Sequence, residues 1–159
     1  MELHLKDTDA TLKLGRILAK KLAETPNPPA LLLQGELGSG KTTLVRGLVE
    51  SLPGAAMAEV SSPSFNIFNL YPTTPPVAHF DLYRLEGMEP DDALFECFED
   101  DEAVTVVEWV QFLDRRLWPG DALFLEWKPS ETGRSLALHA MGEAANGILH
   151  SLTPEFNKI

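Results

Sequence analysis

A single cysteine, Cys97, stands in the 159 residues, so no disulfide can close within the chain and no thiolate cluster can hold a metal. Long apolar runs are missing too. The longest, such as Ala30 to Leu33, fall far short of the roughly 20 residues that a helix needs to cross a bilayer. The opening Met1-Glu2-Leu3-His4-Leu5-Lys6-Asp7 lacks the basic start and apolar middle of a secretory signal. These absences point to a cytoplasmic protein with no membrane partner. Basic residues are scarce and scattered, 13 against 24 acidic ones, for a net charge of −11. A protein that grips nucleic acid by itself neutralises phosphates with a basic face. Any nucleic acid in this protein's biology is therefore expected to sit on another subunit. Much of the acid falls between Glu86 and Glu102, which reads either as a solvated face or as a docking surface for a basic partner.

What is present suits one domain over residues 1–159, large enough to bury roughly 70% of its unfolded surface. Leu3 and Leu5 alternate with polar residues, as in a short edge strand. Thr8 or Asp9 reads as the cap of a helix with Leu14, Ile17, Leu18 and Leu22 on one face, stopped between Thr25 and Pro29. Ala30 to Leu33 suits a parallel strand buried on both faces. A glycine-rich turn follows, then a helix from about Lys41 to Leu52. Phe65 to Tyr71 and Val77 to Tyr83 read as two strands, Ala103 to Val107 as another, and Phe112 to Leu117 as a helix. Ala122 to Trp127 and Leu136 to Ala140 suit a terminal β-hairpin around Pro129 to Gly133. This alternation predicts an α/β fold: a mixed, mostly parallel central sheet flanked by helices.

Chemistry concentrates in Gly35-Glu36-Leu37-Gly38-Ser39-Gly40-Lys41-Thr42, a full match to the phosphate-binding P-loop pattern, placed between a strand and a helix as that pattern requires. Glycines let backbone N–H groups close around phosphate oxygens, and the helix N-terminus adds its positive dipole end. Lys41 brings a charge to the β- and γ-phosphates, the Thr42 hydroxyl a ligand for magnesium, and Thr43 a bond to the α-phosphate. ATP and Mg2+ are the expected ligands, and the expected fold is that of P-loop NTPases.

Such a site needs a further acid at the end of a neighbouring strand. Asp81 ends Val77-Ala78-His79-Phe80-Asp81, and Glu108 ends Val104-Thr105-Val106-Val107-Glu108. Either can hold magnesium or orient the attacking water; either alone can also be a surface carboxylate. His79 reads as packed in the sheet or catalytic, and Trp109 as core or as a contact for nucleotide or partner. Ser61-Ser62-Pro63-Ser64 reads as a γ-phosphate switch or as a turn stiffened by proline. Arg84 reads as a surface ion-pair partner or a stabiliser of transferred charge.

Together these segments resemble the TsaE (YjeE) family. The resemblance is carried by Gly35 to Thr43, Ser62-Pro63-Ser64-Phe65, His79-Phe80-Asp81-Leu82-Tyr83-Arg84-Leu85 and Val107-Glu108-Trp109, in that order and spacing. It implies an ATPase required for threonylcarbamoyladenosine formation in tRNA, working with TsaD and TsaB and meeting tRNA only indirectly. It also implies a magnesium role for Glu108, a place for Asp81 near the metal and γ-phosphate, and nucleotide contacts from Thr11 and Arg134. Where the family usually has Ser-Pro-Thr, this chain has Ser64, which keeps the hydroxyl with a freer rotamer. The expected catalytic set is Lys41, Asp81 and Glu108, with turnover slow until partners complete the site. Two rivals stand beside it: a small P-loop kinase, and a nucleotide-gated binding module in which hydrolysis is incidental.

Overall fold

The computed structural model describes residues 1–63, 68–85 and 88–158. Its elements are β1 (Glu2–Leu5), α1 (Thr8–Ala23), β2 (Ala30–Gln34), α2 (Lys41–Glu50), β3 (Phe68–Tyr71), β4 (Val77–Asp81), α3 (Asp92–Phe98), β5 (Val104–Glu108), β6 (Ala122–Lys128), β7 (Arg134–Met141) and α4 (Glu143–Leu152). The strands form one sheet in the order β1-β7-β6-β2-β5-β4-β3. Its centre, β6-β2-β5-β4, is parallel, while β7 on β6, β1 on β7 and β3 on β4 are antiparallel. So β1, β6, β2, β5 and β4 share one direction, which is the mixed, mostly parallel arrangement expected.

Strand alternation sorts the apolar side chains onto two faces. Leu31, Leu33, Val104, Val106, Leu123 and Leu125 meet Leu14, Leu18, Leu44 and Leu48 of α1 and α2, with Ile148 and Leu152 of α4 completing that core. On the opposite face Leu32, Phe80, Val107 and Phe124 lie under Leu94 of α3 and under Val110 and Leu113. Burial on both sides explains why β2 is a continuous apolar run.

Three expectations need correction. Residues 112–117 do not form one helix; they lie in two short 3-10 turns, Val110–Phe112 and Arg115–Leu117. The Asp114 side chain accepts from Arg116 N and starts the second turn, competing with a continuous helical ladder. The hairpin of β6 and β7 is not terminal, since α4 follows and packs back against both strands. The cap of α1 is Asp7, not Thr8 or Asp9, because its carboxylate accepts from Ala10 N at 2.8 Å, and helix α3 lies within the acidic stretch. Residues 65–67, expected at the start of a strand, lie outside the described residues, and β3 is described from Phe68. Among the described residues no helix is long and apolar enough to cross a membrane.

Candidate functional site

Between β2 and α2 the chain turns through Gly35 to Gly40. Gly38 (φ 75°) and Gly40 (φ 111°) take left-handed backbone that a side chain would strain. The helix that follows begins differently from the others. Asp7 caps α1, Asp91 caps α3, and Asp121 reaches the first N–H groups of α4. Helix α2 starts at Gly40 with no side-chain cap and no acid in its first turn. Its N-terminal dipole end therefore faces the turn without a capping side chain among the described residues.

Lys41 is only 4% exposed. Its ammonium donates to Gly35 O (2.7 Å), Glu36 O (2.8 Å) and Ser39 Oγ (3.3 Å), and it lies 4.2 Å from the centre of the Trp109 ring. Burial lowers its pKa below the ordinary lysine value, while Glu108, Asp81 and Glu36 pull it back upward. Trp109 itself holds a left-handed backbone (φ 58°), a strained conformation for a bulky residue. Its ring packs against Phe112 and Tyr83, so the core reading and the site reading of this tryptophan meet in one position.

Both acids end their strands side by side, because Asp81 and Glu108 are register partners on parallel neighbours. Glu108 is 2% exposed. The Thr42 hydroxyl lies 3.0 and 3.1 Å from its two oxygens, and His79 Nε2 lies 2.8 Å from Oε1. Asp81 accepts from Tyr83 N through Oδ1 (2.9 Å) and from the Ser62 hydroxyl through Oδ2. A cleft of about 210 Å³ is lined by Leu37 to Thr43, Ser62, Asp81, Glu108 and Trp109. The loop, both acids and the tryptophan are thus brought together, with Thr43 in the cleft wall and Leu37 exposed at the loop's tip.

A larger cleft of about 610 Å³ opens on the other side of the loop, walled by Glu36, Gly38, Ser39, Thr8, Trp127 and Arg134. Arg134 lies against Gly40 and donates to Thr11 Oγ1 (3.1 Å). Thr11 is fully buried, bonding Asp7 O (3.2 Å), so it borders this cleft only through Arg134. Ser64 lies outside the described residues.

The family model of the threonylcarbamoyl adenosine biosynthesis protein TsaE matches residues 5–136. The chain belongs to the TsaE family. A TsaE from Synechocystis, named as a tRNA threonylcarbamoyladenosine biosynthesis protein, is 40% identical over 118 residues, 71% of this chain and 72% of its own. The TsaE of the same description from Bacillus subtilis is 36% identical over 145 residues, 89% of each chain. The crystal structure of YdiB from Bacillus subtilis matches with a TM-score of 0.76 over 98% of this chain and 95% of its own, at 24% identity, which shows the shared fold. The P-loop architecture expected from the motif is therefore that of this TsaE-family chain.

Sequence reasoning underrated three residues of this TsaE-family site. From the sequence Ser62 reads as part of a γ-phosphate switch or of a stiffened turn, His79 as sheet packing or chemistry, and Tyr71 only as the end of a strand. The alternation of His79 with Asp81 was the one available signal, since it places both on the sheet face that carries Glu108. Tyr71 reaches the site from the adjacent strand, and no spacing in the sequence reports that.

Proposed function

We propose that this chain binds ATP with magnesium in the Gly35–Thr42 cradle and hydrolyses it. In this reading it is the ATPase of the cytoplasmic machinery that installs threonylcarbamoyl on adenosine in tRNA. The observation that carries the reading is the convergence, in one cleft, of an uncapped helix N-terminus, a buried lysine and a threonine hydroxyl bonded to a strand-end carboxylate. A phosphate entering the cradle meets the α2 N-terminus and draws Lys41 Nζ away from some of its loop partners.

The donor set fits magnesium. Thr42, Asp81 and Glu108 offer hard oxygen atoms, and among the described residues no group of three His, Cys, Asp or Glu side chains gathers into a protein cage. That suits an ion held by one or two carboxylates that completes its shell with phosphate oxygens and water. When bound, magnesium neutralises charge developing on the transferred phosphoryl group. The carboxylate of Glu108 or Asp81 would orient the attacking water and take its proton as the water oxygen bonds to the γ-phosphorus and the bond to the β,γ-bridging oxygen, which leaves on ADP, breaks.

Net acidity and scattered basic residues support a division of labour in which TsaD and TsaB meet the tRNA while this chain supplies the ATP-driven step. The test is ATP hydrolysis with magnesium, alone and then with purified TsaD and TsaB. Stimulation by the partners, abolished by Lys41→Ala, is the expected result. A Lys41→Ala protein that binds and hydrolyses ATP normally overturns the cradle assignment. Binding without stimulation moves the reading to a nucleotide-gated docking module, and stoichiometric transfer to a metabolite moves it to a kinase.

A further inference from the structure

Behind Glu108 runs a buried line of polar groups that phosphate binding does not explain. His79 is fully buried in β4, on the same sheet face as Val77 and Asp81. A buried imidazole there is costly unless both nitrogens find partners, and a leucine would occupy similar space without that cost. Both nitrogens are partnered. Nε2 lies 2.8 Å from Glu108 Oε1; a carboxylate oxygen accepts, so Nε2 carries the hydrogen. Nδ1, left as the acceptor, lies 3.0 Å from the Tyr71 hydroxyl, whose single hydrogen is shared between Nδ1 and Ser61 O at 3.1 Å. Tyr71 is buried as well.

We propose that His79 is a positioning residue for Glu108. Its Nε2–H fixes which carboxylate oxygen faces the cleft, and Tyr71 braces the ring while tying it to the Ser61 backbone. This rests on the reading that Glu108 serves the metal or the attacking water. The Thr42 hydroxyl has one hydrogen and lies at nearly equal distances from the two carboxylate oxygens, so it centres the group without choosing between them. His79 chooses. It engages Oε1 alone, leaving Oε2 as the less committed oxygen. Partners that orient a ligating carboxylate in this way typically matter by about 10- to 100-fold in metal affinity.

The line also reaches beyond the acid. Ser61 O terminates it, and the next residue, Ser62, bonds Asp81. Residues 61 and 62 are therefore tied to both acids, one through Tyr71 and His79 and the other directly.

Two substitutions at one position separate positioning from space-filling. Glutamine places an amide at the reach of Nε2, and asparagine places one at the reach of Nδ1. The measurement is binding of a fluorescent ATP analogue, without magnesium and then across a magnesium titration, with kcat and KM for hydrolysis alongside. His79→Asn is expected to raise the half-saturating magnesium concentration about 10-fold and to lower kcat, with magnesium-free nucleotide affinity unchanged. His79→Gln is expected to stay close to the wild type. Tyr71→Phe, which keeps the ring and removes one oxygen, is expected to shift magnesium dependence in the same direction as His79→Asn but less. Equal impairment of the glutamine and asparagine variants, or a magnesium dependence unmoved by His79→Asn, overturns the proposal. If His79→Asn does not fold, Tyr71→Phe decides: an unmoved magnesium dependence overturns the positioning role. A wild type whose nucleotide binding ignores magnesium sinks the functional reading and this proposal together; a magnesium-dependent wild type with indifferent variants sinks only the latter.

Discussion

Asp114 accepts from the backbone of Arg116 and from its guanidinium, at 2.6 to 3.1 Å. Those side-chain bonds, then the backbone bond, hold its carboxyl at about 2, below the ordinary 3.8. The folded state favours the charged form, so any stabilisation is complete above the ordinary value and disappears as pH falls through about 2. Both groups lie at the surface, where solvent screening keeps such a pair weak, so the effect belongs in a local readout. In an NMR titration the Asp114 carboxyl should titrate near 2, and Arg116→Gln should return it toward 3.8. Lys41 illustrates the opposite environment: buried, with its pKa pushed down by desolvation and restrained by nearby acids. Its identity was legible because the phosphate-binding pattern names the residue type. Its contact with Trp109 was not, because the two are joined only when α2 and β5 pack.

At the scale of elements, α1 and α2 approach so closely that no Cβ fits between them. A Cβ on Gly47 would lie 2.3 Å from Leu12 O, and one on Gly15 would lie 2.4 Å from Leu44 O. In an isolated helix Gly47→Ala would be favourable by about 1 kcal/mol. Here the obstacle is backbone, which cannot turn aside, so overpacking decides the sign. Gly47→Ala should lower stability by about 1–3 kcal/mol in urea denaturation, and by displacing α2 it should weaken nucleotide binding. Helix α4 offers a second case. Its N-cap residue, Gly142, has no side chain to cap with, and Asp121, more than 20 residues earlier, accepts from Ala144 N and Ala145 N at 2.9 Å. Asp121→Ala should cost about 1 kcal/mol, read as a shift in the same denaturation midpoint. Helix α1 was legible from its leucine spacing, although its cap is Asp7 and not the Thr8 or Asp9 that the sequence suggested. Helix α4 was not, since Gly142, Asn146 and Gly147 are poor helix formers and its cap comes from another element. Helix α3 buries only Leu94, too little for a periodic signal.

For the whole molecule, the sheet order is the decision that makes the site. β5 and β4 lie next to β2 on one side, so Glu108 and Asp81 end beside the loop that follows β2. On the other side β6 and β7 carry Trp127 and Arg134 to the larger cleft. Helix α4 closes the core beneath β6 and β7, and Ile148, 3% exposed, is central to that contact. Ile148→Ala should cost about 2–4 kcal/mol of global stability, checked by denaturant unfolding, with nucleotide affinity preserved because the residue touches neither cleft.

The sequence by itself determined the local matters: the phosphate cradle, the strand-end acids, the buried β2 run and the α/β alternation. Each depends on neighbours within a few residues, where spacing and backbone preference act directly. Tertiary structure alone decided which acids meet Thr42, that His79 and Tyr71 stand behind Glu108, and that Arg134 lies over Gly40 against Thr11. Those contacts join residues distant along the chain. They form because burying the two faces of one sheet leaves only certain strand orders compact, and nothing in local spacing encodes that order.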